Sequence, residues 1–175
     1  MPRKYDDISS QALKDAAEMM CVAARTAPKT CGKDNLVIAI LEKSEKQKVI
    51  TRMEEIAKRD NRPSCMRDAG NIKDSDNIVI IATKRSALGL NCGFCGYPTC
   101  EVLSKTEGIC AYNSMDLGIA LGSASSLAGR YHIDNRLMFS IGKAVIELDL
   151  LGKGIVQAIG IPLSATGKNP FFDRK

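Results

Sequence analysis

Hydrophobic residues along this chain recur either every three to four positions or in short unbroken runs, and the order of these two patterns lays out the elements. From Ser9 or Ser10 to Arg25 the small and apolar positions Ala12/Leu13, Ala16/Ala17, Met20 and Ala23/Ala24 predict an amphipathic helix, serine-capped and ended by Pro28. Leu36 to Leu41 is apolar throughout and predicts a central strand. Ser44-Glu-Lys-Gln47 has capping-box spacing, and Val49, Ile50, Met53, Ile56 and Ala57 form one stripe, so a second helix runs to about Arg59. The polar stretch from Asp60 to Asp76, with Pro63 and Cys65, reads as a connection, and Asn77 to Thr83 as a second buried strand. Leu117 to Gly129 keeps helical spacing but is rich in glycine and serine, which admits either a closely packed helix or a flat cofactor against the backbone. Asp134-Asn-Arg136 predicts the cap of a further helix, buried on Leu137, Met138, Ile141, Ala144, Val145 and Leu148 and closed by Gly152. Ile155 to Ile161 predicts a third strand, with a tail from Pro162 to Lys175. This order describes an α+β fold with helices flanking a sheet, in one domain over residues 1–175 with a cysteine-rich segment, 84–112, embedded in it.

That segment carries the strongest chemical signal. Four of the chain's seven cysteines, Cys92, Cys95, Cys100 and Cys110, follow the spacing C-x2-C-x4-C-x9-C. Gly93 and Gly96 remove side chains where the backbone must curl around a compact body, and Pro98 stiffens the turn before the third thiol. Thiols in this number and proximity indicate a four-thiolate metal site, either an iron-sulfur cluster or a structural zinc. Zinc ribbons present two C-x2-4-C knuckles, whereas only the first pair here is a knuckle, so the spacing favours a [4Fe-4S] cluster. Cys110, after the shorter final interval, is the ligand for which Cys65 or Cys31 are substitutes. Cys21, on the predicted first helix, reads as a small buried hydrophobe.

Other chemistry is sparse. Arg25, Lys29 and Lys33 lie in a loop between a helix and a buried strand, where they either hold an anionic ligand or are simply solvated. His132 is the single histidine and has no carboxylate or nucleophile pattern around it, which argues against hydrolytic catalysis. Gly167-Lys168 lacks phosphate-loop spacing, and no G-x-G-x-x-G follows a strand. Lys and Arg total 25 against 20 Asp and Glu, a net +5 spread along the chain, with no tryptophan and 5% aromatic residues; nothing there argues for a nucleic-acid partner. No apolar run is long enough to span a membrane, and the charged N-terminus does not read as a signal peptide. We therefore expect a cytoplasmic protein with reduced thiols.

The run C-G-x-C-G-x-x-x-C resembles the cluster-binding motif of small four-iron ferredoxin-like domains, such as that of corrinoid iron-sulfur proteins. Ala24 to Lys29, Asp34-Asn35, Arg67-Asp68-Ala69, the cysteine loop, Asp116 to Ser123, Asp134-Asn-Arg136 and Gly160 to Lys168 together resemble a microbial family of uncharacterised proteins containing a ferredoxin domain. Ala27-Pro28 before a strand, and Gly160-Ile-Pro162 after a late one, are similar to segments of FMN-dependent nitroreductases. That resemblance implies a nitroreductase-like α+β fold with a mostly antiparallel central sheet, a homodimer, and oxidoreductase chemistry at a flavin held between subunits. It also implies flavin contacts at Arg25, Lys29 and Asn35, with Lys168 and Arg174 near the phosphate. The chain lacks the opening arginine-rich segment and the Gln-Pro-Trp of nitroreductases, and Lys29 stands where they have serine, which leaves open a fold kept without its cofactor. The expectation is an iron-sulfur redox protein that passes electrons to a partner protein or a small-molecule acceptor, flavin among them. The alternative is a zinc-folded interaction module without redox activity.

Overall fold

The central strand of the sheet, β2 (Ile78–Lys84), is buried at every position but Lys84 because it is packed on both sides. Side chains alternate across a strand, so Ile78, Ile80 and Ala82 enter one core while Val79 and Ile81 enter another. The computed structural model describes residues 2–75 and 77–172 and places β2 between β1 (Leu36–Ile40) and β4 (Ile155–Ser164), with a two-residue strand β3 (Asp134–Asn135) beyond β4. The order is β1-β2-β4-β3, and every neighbouring pair is antiparallel.

Helices cover both faces. α1 (Tyr5–Thr26) and α5 (Ala111–Arg130) lie on one, through Ala17, Met20, Ala120 and Ala124. α2 (Lys43–Arg59), α3 (Pro63–Asn71) and α6 (Phe139–Glu147) lie on the other, through Met53, Ile56, Cys65, Ile141 and Val145. A short helix, α4 (Cys100–Ser104), stands outside both layers in the cysteine segment. Small residues set the closest contacts. A Cβ added at Gly142 would lie 1.7 Å from the Ala158 carbonyl oxygen, so α6 rests on the β4 backbone at a distance only glycine allows. On the other face α5 packs on α1, where the Ser123 hydroxyl donates to the Ala23 carbonyl at 3.0 Å, while a Cβ added at Gly118 or Gly122 would meet open space.

The elements differ from the sequence reading in four places. α1 begins at Tyr5 rather than at a serine cap, with Asp6 and Asp7 in its first turn, where negative charge suits the helix dipole. The capping box of α2 is formed by Glu42 and Glu45 rather than by Ser44 and Gln47. The expected connection from Asp60 to Asp76 contains α3, whose first turn accepts Pro63 because that N–H has no helical partner in any case. Asp134 and Asn135 do not cap a helix; they pair with Ser164 and Leu163, which carries β4 beyond Ile161 and delays α6 to Phe139.

Candidate functional site

The chain leaves β2 at Lys84 and returns to the fold at α5, and the intervening segment rests on a small core of its own. Leu88, Leu103 and Cys110 are its buried residues, flanked by Cys95, Tyr97 and Tyr112. Cys92, Cys95, Cys100 and Cys110 all line one pocket in this segment, with Asn91 and Tyr112 among its walls. All four are free thiols.

Local chemistry shapes each arm. Asn91, Gly93 and Gly96 adopt positive φ (49°, 74° and 81°), which turns the backbone tightly around the first two cysteines. The Asn91 N–H donates to Cys100 Sγ at 3.4 Å while its side-chain oxygen accepts the Cys100 N–H at 2.8 Å, so one asparagine grips the third cysteine twice. Thr99 caps α4 by accepting the Val102 N–H at 3.2 Å. Cys110 is the N-cap of α5, a helix of 20 residues, and Ala111 and Tyr112 of its first turn also line the pocket. A helix start presents unpaired N–H groups and positive potential to any anionic body there. Phe94, between the first two cysteines, stacks on Tyr112 with ring centroids 5.8 Å apart and remains 69% exposed.

Four thiols form a donor set suited to soft iron or zinc. The pocket is narrow, about 10 Å³, and among the described residues no three His, Cys, Asp or Glu side chains already converge on a single metal ion. A cluster core therefore requires the walls to part. Two other thiols do not line the pocket: Cys65 is buried in the core on the α2 and α3 side, where burial pushes its thiol up, and Cys31 is exposed on the 3-10 turn Thr30–Gly32 at φ 56°. Cys21 packs half-buried against the α1 side of the sheet and is likewise pushed up by burial.

The polar groups of the basic loop have partners within the fold. Arg25 pairs with Asp34 at 2.6 Å and also donates to the Leu36 carbonyl at 3.2 Å. Burial pushes the Asp34 carboxyl up, but Arg25, the Leu36 N–H and Lys29 outweigh it and hold it below its usual range. Lys29 turns inward, its side chain 7% exposed, and donates to the Ala24, Arg25 and Ala27 carbonyls at the end of α1. Lys33 donates to the carbonyl of Leu88, on the wall of the thiol pocket, at 3.0 Å. Asn35 donates to Asn113 at 3.1 Å, and Thr30 donates from both N–H and hydroxyl to the Asp116 carboxylate. Arg25, in the last turn of α1, and Lys29 and Asn35, in the loop after it, thus lie at the Lys84 end of the sheet. Lys168 follows the opposite end of β4, beside the Ser164 and Asp134 pairing, and Arg174 lies outside the described residues. Among the described residues of one chain, Lys168 therefore lies at the other end of the sheet from Arg25, Lys29 and Asn35. Sequence reasoning missed Asn113 and Asp116, whose one signal was polar residues at an interval of three in an otherwise small and apolar helix.

Comparison with known proteins follows the same division. Residues 106–174 match the family described as "Uncharacterized protein containing a ferredoxin domain" (DUF2148); of the four pocket cysteines this stretch includes Cys110. An uncharacterized protein of Archaeoglobus fulgidus is 37% identical over 177 residues, spanning 96% of this chain and 95% of its own. Among solved structures, an oxidoreductase containing FMN superposes with a TM-score of 0.61 at 11% identity, over 89% of this chain and 68% of the other. A nitroreductase with bound FMN from Desulfitobacterium hafniense gives 0.59 at 12% identity, over 96% and 80%. A BluB-like flavoprotein from Clostridium difficile gives 0.56 at 15%, over 88% and 84%. At these identities the fold alone is shared. By its sequence relatives the chain belongs to the family of uncharacterized proteins containing a ferredoxin domain, and it is built on a nitroreductase-like fold.

Proposed function

We propose that this chain is an iron-sulfur redox protein in which Cys92, Cys95, Cys100 and Cys110 hold one [4Fe-4S] cluster. The observation that carries the reading is that four free thiols from one segment line a single pocket. A cubane takes each thiolate on a separate iron, so its ligands stand further apart than those of one tetrahedral ion. The cluster supplies single-electron transfer when bound. The protein supplies the thiolates, while the Asn91 N–H directed at Cys100 Sγ and the positive end of α5 stabilise added negative charge.

Electrons pass to a redox partner protein or a small-molecule acceptor, in the cytoplasm, where thiols stay reduced. No helix of the described residues is long and apolar enough to cross a membrane, and neither a membrane nor a nucleic acid enters the reading. The chain acts as a homodimer: α1 and α5 leave Ile8, Met19, Val22, Met115 and Ile119 between 42% and 52% exposed, on the helices that cover one face of the sheet. A flavin is the finer part of the proposal. It needs that second copy to bring Lys168 to the loop of Arg25, Lys29 and Asn35, and it needs those three to release their present partners.

The test is anaerobic purification followed by iron, acid-labile sulfide and zinc analysis, with visible and EPR spectra before and after dithionite. Iron with equal sulfide and a signal on reduction is expected, and flavin bands in the same spectrum decide the flavin part. Stoichiometric zinc in a colourless, EPR-silent protein would overturn the redox reading. It would establish the alternative, a zinc-folded interaction module.

A further inference from the structure

We infer that Asn113 is a positioning residue of the thiol site: it fixes the distance between the arm that delivers the first cysteine and the helix that carries the last. The inference rests on the metal-site reading above. Asn113 is 1% exposed, and both ends of its amide are engaged. Its oxygen accepts from Asn35 Nδ2 at 3.1 Å; its nitrogen donates to the Ser86 carbonyl at 2.6 Å and to the Lys84 carbonyl at 3.3 Å. Lys84 ends β2, and Ser86 lies two residues before Leu88, the first wall of the pocket. Asn113 itself lies three residues beyond Cys110, and its N–H donates to the Cys110 carbonyl at 3.0 Å. One buried amide therefore joins β2's exit, the basic loop and the start of α5.

The neighbouring bonds support the same role. Asp116, one turn further along α5, anchors Thr30, and Lys33 from that loop holds the Leu88 carbonyl. The loop that the sequence offers as an anion site is a brace for the cysteine segment. Apolar burial fixes little of that segment, since Leu103 is its only buried residue from Gly89 to Ile109. Buried amides of this kind are costly to leave unpaired, which makes the arrangement all or none. Partners behind a metal's ligands act by orienting them.

The test uses the full chain, purified without oxygen, in wild-type, Asn113→Asp and Ser140→Ala forms. Asn113→Asp keeps the shape but sets an oxygen against the Lys84 and Ser86 carbonyls. Ser140→Ala removes a buried hydrogen bond to Asp68, 2.7 Å, in the core on the far side of the sheet, and reports ordinary destabilisation. We expect Asn113→Asp to release metal to a chelator about tenfold faster than wild type and to change the EPR line shape, with Ser140→Ala lowering the melting temperature and changing neither. If Asn113→Asp keeps the wild-type release rate and spectrum, or if Ser140→Ala speeds release as much for an equal loss of melting temperature, the assignment is overturned. A wild-type chain that takes up neither iron with sulfide nor zinc sinks the metal-site reading itself, which is a separate outcome.

Discussion

From Ile78 to Thr83 every side chain is buried, whereas from Gly89 to Ile109 only Leu103 is. The two stretches are joined by five residues yet are held by different means. β2 lies between two layers of helices and is fixed by apolar contact on both faces, so its order follows from removing hydrophobic area from water. The cysteine segment has a core of three buried residues and is fixed by polar ties at its ends: Asn113 and Lys33 at one, Asn91 on Cys100 in the middle, and the Cys110 cap at the other. A core that small contributes little. Metal bonds are the means by which such segments gain order, and their formation is then part of folding.

The largest expected effect breaks the sheet side of this comparison. Gly142→Val places atoms where the Ala158 carbonyl already stands, so α6 must lift from β4 at a cost above about 3 kcal/mol, read as loss of the cooperative transition in chemical denaturation. Ile80→Ala leaves a cavity at a fully buried position of β2 and should cost about 2–5 kcal/mol in the same measurement. Phe94→Ala removes a larger side chain from the cysteine segment. With 69% of the ring exposed, it should cost less than about 1 kcal/mol, confined to the stack on Tyr112. An equal loss for Ile80→Ala and Phe94→Ala would end the distinction drawn here.

Cys92→Ser, or removal of metal by chelation, sharpens the other side. Amide exchange should quicken from about residue 85 to 110 while β2 and β4 stay protected, and the main melting transition should move by only a few degrees, within about the shift of 1 kcal/mol in a domain this size. A collapse of protection across the sheet would show that the segment is part of the main core.

The smallest effect concerns pH on the sheet side. Arg59 donates to Glu147 and Asp60, and Lys143 also pairs with Asp60, which joins the end of α2 to α6. The Arg59 hydrogen bond, foremost, holds the Glu147 carboxyl below its usual range, and Arg59 with Lys143 holds Asp60 lower still. Groups depressed in the folded state contribute fully above their unfolded pKa and lose that contribution as pH falls through the folded value. Glu147→Gln should therefore lower the melting temperature slightly at neutral pH, by a few degrees at most for so exposed a network. The difference from wild type should begin to shrink below about pH 4.3, the unfolded value, and vanish only once the pH has fallen through the lower folded value, followed by circular dichroism.

The sequence alone determined the strands and the long helices, because apolar runs and three-to-four spacing report burial wherever one element faces one core. It also determined the donor set, since the spacing of Cys92, Cys95, Cys100 and Cys110 is a property of the chain itself. It did not disclose α3 or β3. α3 is short and its buried stripe, Cys65, Asp68 and Ala69, includes a charged residue, and β3 is two residues that pair only because β4 continues past Pro162. The tertiary structure alone decided which thiols share a pocket, setting Cys110 in and Cys65 on the far side of the sheet. It also showed which groups Lys29, Lys33 and Asn35 meet within one chain. Charge is legible in a sequence, but the carbonyl that satisfies it comes from another part of the chain, and only folding brings the two within hydrogen-bond reach.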